Sequence, residues 1–183
     1  MRQRSSNGRV FWIAAVLVVV LDVITKLLAE RYLLPAHVPH RIIGDWVRFT
    51  LAYNPGAAFS MSLGSASRII FGGFAVVALV ILWRLYKGSV PGDTARVLAL
   101  GLAWGGAAGN LIDRLRSPAG VVDFIDVGLP DGWRFWTFNV ADSAVTVGAI
   151  LLALVLWRED RQRSAERHAA PTAAADQRPT VEG

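Results

Sequence analysis

The stretches GVVDFIDVGL (residues 120–129) and WTFNVADSAVTVGAILLALVLW (residues 136–157) decide how this chain is built. Residues 138–157 form a run long and apolar enough to cross a hydrocarbon core of about 30 Å as a helix. Yet Asp142 lies inside that run, and Asp123 stands just upstream of it. An ionised group at the centre of a membrane helix costs about 2.5 to 3.5 kcal/mol on insertion scales. An acid within the run, with a second close by, requires a reason.

Three more runs of similar character precede this one, at residues 10–28, 69–86 and 97–112. Hydrophobic residues make up 54% of the 183-residue chain and charged residues only 18%, which points to a membrane protein. The first run follows Arg2, Arg4 and Arg9 as a signal peptide would. Its apolar stretch is longer than a typical signal core and no small-residue cleavage site follows, so it reads as a retained helix. The expected fold is therefore all-α with a small β element: four transmembrane helices in a single membrane-spanning domain, residues 1–157. A polar, Arg-, Ala- and Pro-rich tail at 158–183 is expected to be disordered.

Charge sets the expected orientation. The N-terminus, the 84–96 loop and the tail carry the whole net charge of +5, and the remaining segments are neutral. Basic residues stay in the cytoplasm, so both termini are expected there, with loops 29–68 and 113–137 outside. The sequence pI of 10.4 then reflects topology and anionic-lipid contact, with no nucleic acid as partner. The absence of cysteine excludes thiolate catalysis, cysteine-ligated metal and disulfides. In the first outer loop, DWVRFTLAYN alternates partly and favours strand, which predicts a small sheet at the membrane surface. NPGAAFS then breaks it with turn residues. His37 and His40 lack a third ligand nearby, and no metal is expected.

Polar residues inside the apolar runs gather at one level, the outward half. Asp22 and Lys26 are four apart on one helix face, the spacing of a structural ion pair. Asn139 and Asp142 have the spacing of a helix N-cap and its third residue. Asn110, Asp113 and Arg114 end GGAAGNLIDR, whose small residues suit close helix packing. Each of these alone has a structural explanation, but Asp123, set among Val121, Val122, Phe124 and Ile125, has none. Two carboxyls from adjoining segments in a low-dielectric site can share a proton, one activating water and the other donating to a carbonyl oxygen. Serine and metalloprotease schemes do poorly: G-x-S-x-G and H-E-x-x-H are absent. A proton-coupled transporter would place polar residues on both halves of the spans, whereas the inner halves here are nearly devoid of them. A pure packing scaffold leaves Asp123 unexplained.

The ordered blocks DVITK (22–26), NPGAAFS (54–60), GGAAGNLIDR (105–114), VVDF (121–124) and FNVADSAV (138–145) resemble bacterial lipoprotein signal peptidase, or signal peptidase II. The resemblance implies an aspartic endopeptidase of the inner membrane that cuts before a diacylglyceryl-modified cysteine. It also implies an extracytoplasmic sheet that cradles the substrate, and inhibition by globomycin. Lipid-modified prolipoproteins and membrane lipids are then the partners, with a monomer and no cofactor expected. On this resemblance Asp123 and Asp142 are the catalytic acids. Asn54, Gly56, Asn110, Asp113, Arg114 and Asn139 line or brace the site, and Asp22 with Lys26 belongs to the first-helix motif. Two departures lie between the blocks: the join LRSPAG looks long, and Thr137 stands where many members have proline.

Overall fold

A computed structural model of the chain describes residues 2–56, 66–130 and 132–169. Four helices, α1 (Arg2–Tyr32), α2 (Ser67–Lys87), α3 (Thr94–Arg116) and α4 (Val140–Ala169), alternate with three strands, β1 (His40–Ile43), β2 (Val47–Asn54) and β3 (Val121–Val127). All four helices are long and apolar enough to cross a membrane. Their outward residues, among them Ile13, Leu17, Leu21, Phe74, Val77 and Ile150, are exposed, as membrane-facing side chains must be. The buried faces are small instead: Ala14, Ala15, Ala99, Ala103, Ala141 and Ala144. Lipid is as apolar as leucine, so close backbone contact holds such a bundle together.

Helix α3 is central, packing on α1, α2 and α4. Its glycines allow the approach: a Cβ at Gly106 would stand 2.3 Å from the Ala141 carbonyl oxygen, and one at Gly109 only 2.6 Å from Asp22 Oδ2. At one end of the bundle Asn7 donates to Val90 O (3.0 Å) and accepts from Gly92 N (3.1 Å), tying the start of α1 to the α2–α3 turn. Phe11 stacks on Tyr86 there, with ring centroids 4.1 Å apart. The sheet covers the opposite end.

That sheet is antiparallel in the order β1-β2-β3. The first outer loop supplies β1 and β2, as DWVRFTLAYN suggested, but the third strand comes from the second loop. A sheet drawn from the first loop alone is thus corrected. VVDFIDV lacks the alternation that marks a half-exposed strand, because most of it, its two aspartates included, is buried. Pairing sets Asp123 opposite Ala52 and Asp126 opposite Arg48. Leu51, Val122 and Phe124 pack onto Ala29 and Leu33 at the end of α1.

The tail expectation also needs correction. Helix α4 continues past Trp157 to Ala169. Arg161 lies over the Trp157 ring at 4.6 Å, four residues back on the same helix, and Arg96 pairs with Glu159, a partner that the local sequence does not reveal. Residues 57–60 of NPGAAFS and 170–183 of the tail lie outside the described residues.

Candidate active site

The N-terminus of α4 is built as a reciprocal cap. Asn139 Oδ1 accepts from Asp142 N (2.8 Å), and Asp142 Oδ2 accepts from Asn139 N (3.2 Å). This is a capping box with Asn at the cap and Asp at the third position. It fixes the Asp142 carboxylate at the helix mouth and leaves Oδ1 to accept from Asn110 Nδ2 at 2.7 Å.

Asn139 also reaches the other acid. Its Nδ2 donates to Asp123 Oδ1 (2.7 Å), Asn110 Oδ1 (3.1 Å) and Val122 O (3.3 Å). Asp123 Oδ2 accepts from Asn54 Nδ2 at 3.3 Å, and Asn54 Oδ1 in turn accepts from Gly56 N at 3.1 Å. Gly56 has φ +140°, and a Cβ there would fall 2.5 Å from Phe71, so glycine alone fits this turn. Asp123 and Asp142 thus lie on either side of one asparagine. Burial, and next the charge of Asp142, push the Asp123 carboxyl up to about 7, against the hydrogen bonds from Asn54 and Asn139 that favour its ionised form. Asp123 therefore keeps its proton well above the pH at which an ordinary carboxyl loses it.

Both acids line a cleft of about 690 Å³ together with Asn54, Gly56 and Arg114. Arg114 is anchored by an N–H to Asn110 O at 3.1 Å. Asp113 does not face the cleft; its buried Oδ2 accepts from Val122 N at 3.1 Å and holds Lys26 at 2.8 Å. Lys26 Nζ also contacts Asp22 Oδ2 (2.7 Å) and Asn110 Oδ1 (2.9 Å). The expected pair of Asp22 and Lys26 is present and is part of a larger cluster. Asp22 Oδ1 further accepts from Ala141 N at 2.9 Å, in the first turn of α4. One ammonium between two carboxylates thereby ties α1, α3, α4 and β3 together behind the cleft.

Sequence reading missed the clamp that shapes the opposite wall. Asp126 takes Arg134 Nε at 2.6 Å, Arg48 Nε at 3.1 Å and Thr50 Oγ1 at 3.0 Å, while Arg134 also donates to Asp45 O at 2.9 Å. Burial opposes the charge of Asp126, but these hydrogen bonds outweigh it and hold the carboxyl below the usual range. The clamp sets the course of the chain from Arg134 to Phe138, which runs back along β3: Phe138 N donates to Ile125 O (3.0 Å) and Phe138 O accepts from Ile125 N (2.8 Å). Phe135, Trp136 and Thr137 so become cleft wall. The only signal in the sequence was a charged residue in each strand, Arg48 in β2 and Asp126 in β3, with nothing local to pair them.

Four membrane-compatible helices and a three-stranded sheet, with a buried and a half-buried acid opening on one cleft, define a helical membrane protein of the enzyme class. The profile of the family described as Signal peptidase (SPase) II matches residues 14–158. The chain belongs to the signal peptidase II family and is a peptidase. It is 41% identical over 160 residues to the lipoprotein signal peptidase of Pseudomonas syringae pv. tomato, covering 86% of this chain and 91% of that one. It is 46% identical over 145 residues to that of Coxiella burnetii, covering 75% and 83%. A bacterial membrane enzyme solved by the in meso method at 2.3 Å superposes with a TM-score of 0.72 at 30% identity, over 81% of this chain and 87% of that one.

Proposed function

We propose that this peptidase removes the signal peptide from diacylglyceryl-modified prolipoproteins, cutting on the N-terminal side of the lipid-modified cysteine with Asp123 and Asp142 as its dyad. The observation that carries the reading is the pair of acids on either side of Asn139, facing one cleft, and the burial that raises the Asp123 carboxyl to about 7 suits it to be the proton donor. The Asp142 carboxylate takes a proton from water, whose oxygen attacks the scissile carbonyl carbon while the Asp123 proton passes to the carbonyl oxygen. On collapse the proton on Asp142 goes to the leaving nitrogen, the C–N bond breaks, and Asp123 recovers a proton from the gem-diol. Water is consumed and no cofactor is needed. Asn139, Asn110 and Asn54 orient the carboxyls, and Arg114 supplies positive charge beside them.

The sheet end of the bundle is assigned to the extracytoplasmic face of the inner membrane. Support comes from the opposite end, which gathers the basic N-terminus, the α2–α3 turn and the charged extension of α4. At that outer interface the substrate's acyl chains stay in the bilayer, at about 0.8 kcal/mol per buried methylene, while the scissile bond reaches the dyad. The protein acts as a monomer in this reading, and globomycin blocks the cleft.

The test uses the detergent-purified protein and one prolipoprotein prepared with and without its diacylglyceryl group. Gel-shift conversion of the modified form only, stopped by globomycin, is expected. Equal cleavage of both forms, or of neither, contradicts the substrate assignment.

A further inference from the structure

Two glycines of α2 leave space that no protein atom among the described residues fills. A Cβ at Gly73 would meet nothing within 4 Å, and one at Gly72 only Leu111 Cδ1 at 4.0 Å. A Cβ at Gly101, Gly105, Gly106, Gly109 or Gly148 would instead lie within 2.8 Å of a neighbouring helix. Close packing accounts for those glycines and not for Gly72 and Gly73, which weaken their helix relative to alanine without gaining a contact. What they do is open a furrow of about 290 Å³ between α2 and α3, with apolar walls from Ile69, Val76 and Leu111.

Two guanidiniums stand over the sheet end of this furrow: Arg68 in the first turn of α2 and Arg114 in the last turn of α3. Arg68 has no hydrogen-bond or ion-pair partner among the described residues, and the first turn of α2 contains no acid. Arg114 faces the catalytic cleft on its other side, and its buried Nε has no hydrogen-bond partner among the described residues. Positive charge at the rim of an apolar furrow in a membrane protein matches an amphiphile with an anionic head. The diacylglyceryl group of the proposed substrate carries no charge, and a zwitterionic headgroup brings its own cation to its phosphate. Neither provides the counterion that two arginines call for.

We propose that the α2–α3 furrow is a binding site for an anionic phospholipid, with one acyl chain over Gly72 and Gly73 and the phosphate held by Arg68 and Arg114. The site rests on the membrane spans and the furrow, and it does not depend on which residues cleave. Because Arg114 lines both the furrow and the cleft, an occupied site couples the surrounding lipid to the peptidase centre through one side chain.

Native mass spectrometry of the full-length protein, released from micelles containing equal amounts of phosphatidylglycerol and phosphatidylcholine, tests this without reference to cleavage. One phosphatidylglycerol should be retained in preference by about tenfold. Arg68→Gln should abolish the preference. Gly73→Leu fills the furrow with a better helix former, so α2 persists while retention of phosphatidylglycerol falls to background. Millimolar inorganic phosphate should leave the lipid bound, since it lacks the chain. Equal retention of both lipids by the unmodified protein overturns the proposal. So does undiminished preference in both variants, or displacement of the lipid by phosphate alone.

Discussion

Asn139 uses its side chain four ways at once: Oδ1 caps α4 through Asp142 N, and Nδ2 reaches Asp123, Asn110 and the Val122 carbonyl. The same amide that ends a helix therefore sets the geometry between the two acids. Its neighbour Asp123 is a raised carboxyl in the folded protein, and linkage gives that fact a sign. Below the unfolded value, near 4, the group is protonated in both states and contributes its full stability. As pH rises toward the folded value of about 7 the unfolded chain loses the proton first, and that stability drains away. Asp123→Asn has no such loss. The melting temperature of the variant minus that of the unmodified protein should grow from pH 5 to pH 7 and then level. A difference flat across that range contradicts the buried, proton-holding Asp123.

Helices and strands were legible in the sequence wherever local pattern and burial coincide. The four apolar runs and the strand in DWVRFTLAYN followed from length and alternation, and the spacing of Asn139 and Asp142 announced their cap. Strand β3 was hidden, because an acid-bearing segment buried on most sides shows no alternation. Also hidden was whatever depends on distant partners. Asp126 meets Arg48 and Thr50 across the sheet, and Lys26 meets Asp113 from another helix. The last case changes what a mutation should do. Lys26→Ala leaves Asp22 buried without its counterion and Asp113 with only the more distant Arg116 at 3.6 Å, and breaking a buried pair costs about 3 to 5 kcal/mol. Spacing alone suggests that Lys26→Met with Asp22→Asn would repair this. With Asp113 still charged the repair should be partial, and only the triple change adding Asp113→Asn should restore thermal stability in detergent. Full recovery in the double variant would show that Asp113 does not depend on Lys26.

At the scale of the whole molecule, the bundle separates a basic end from the end that carries the proposed dyad. The proposed orientation rests on that separation and is testable because the chain lacks cysteine. A cysteine introduced for Ser89, in the α2–α3 turn, should react with a membrane-impermeant thiol reagent only after the inner face is opened, while one introduced for Ala119 should react in intact cells. The reverse pattern would put the cleft on the cytoplasmic side, away from secreted substrates. The central claim, however, is the dyad. Purified Asp123→Asn, Asp142→Asn and the double variant should be compared with the unmodified protein in converting a diacylglyceryl-modified prolipoprotein, followed by gel shift. Acids that share one proton act as a unit, so each single variant should lose nearly all turnover while remaining folded, and the double should be little worse than either. Substantial turnover by either folded single variant would contradict the account.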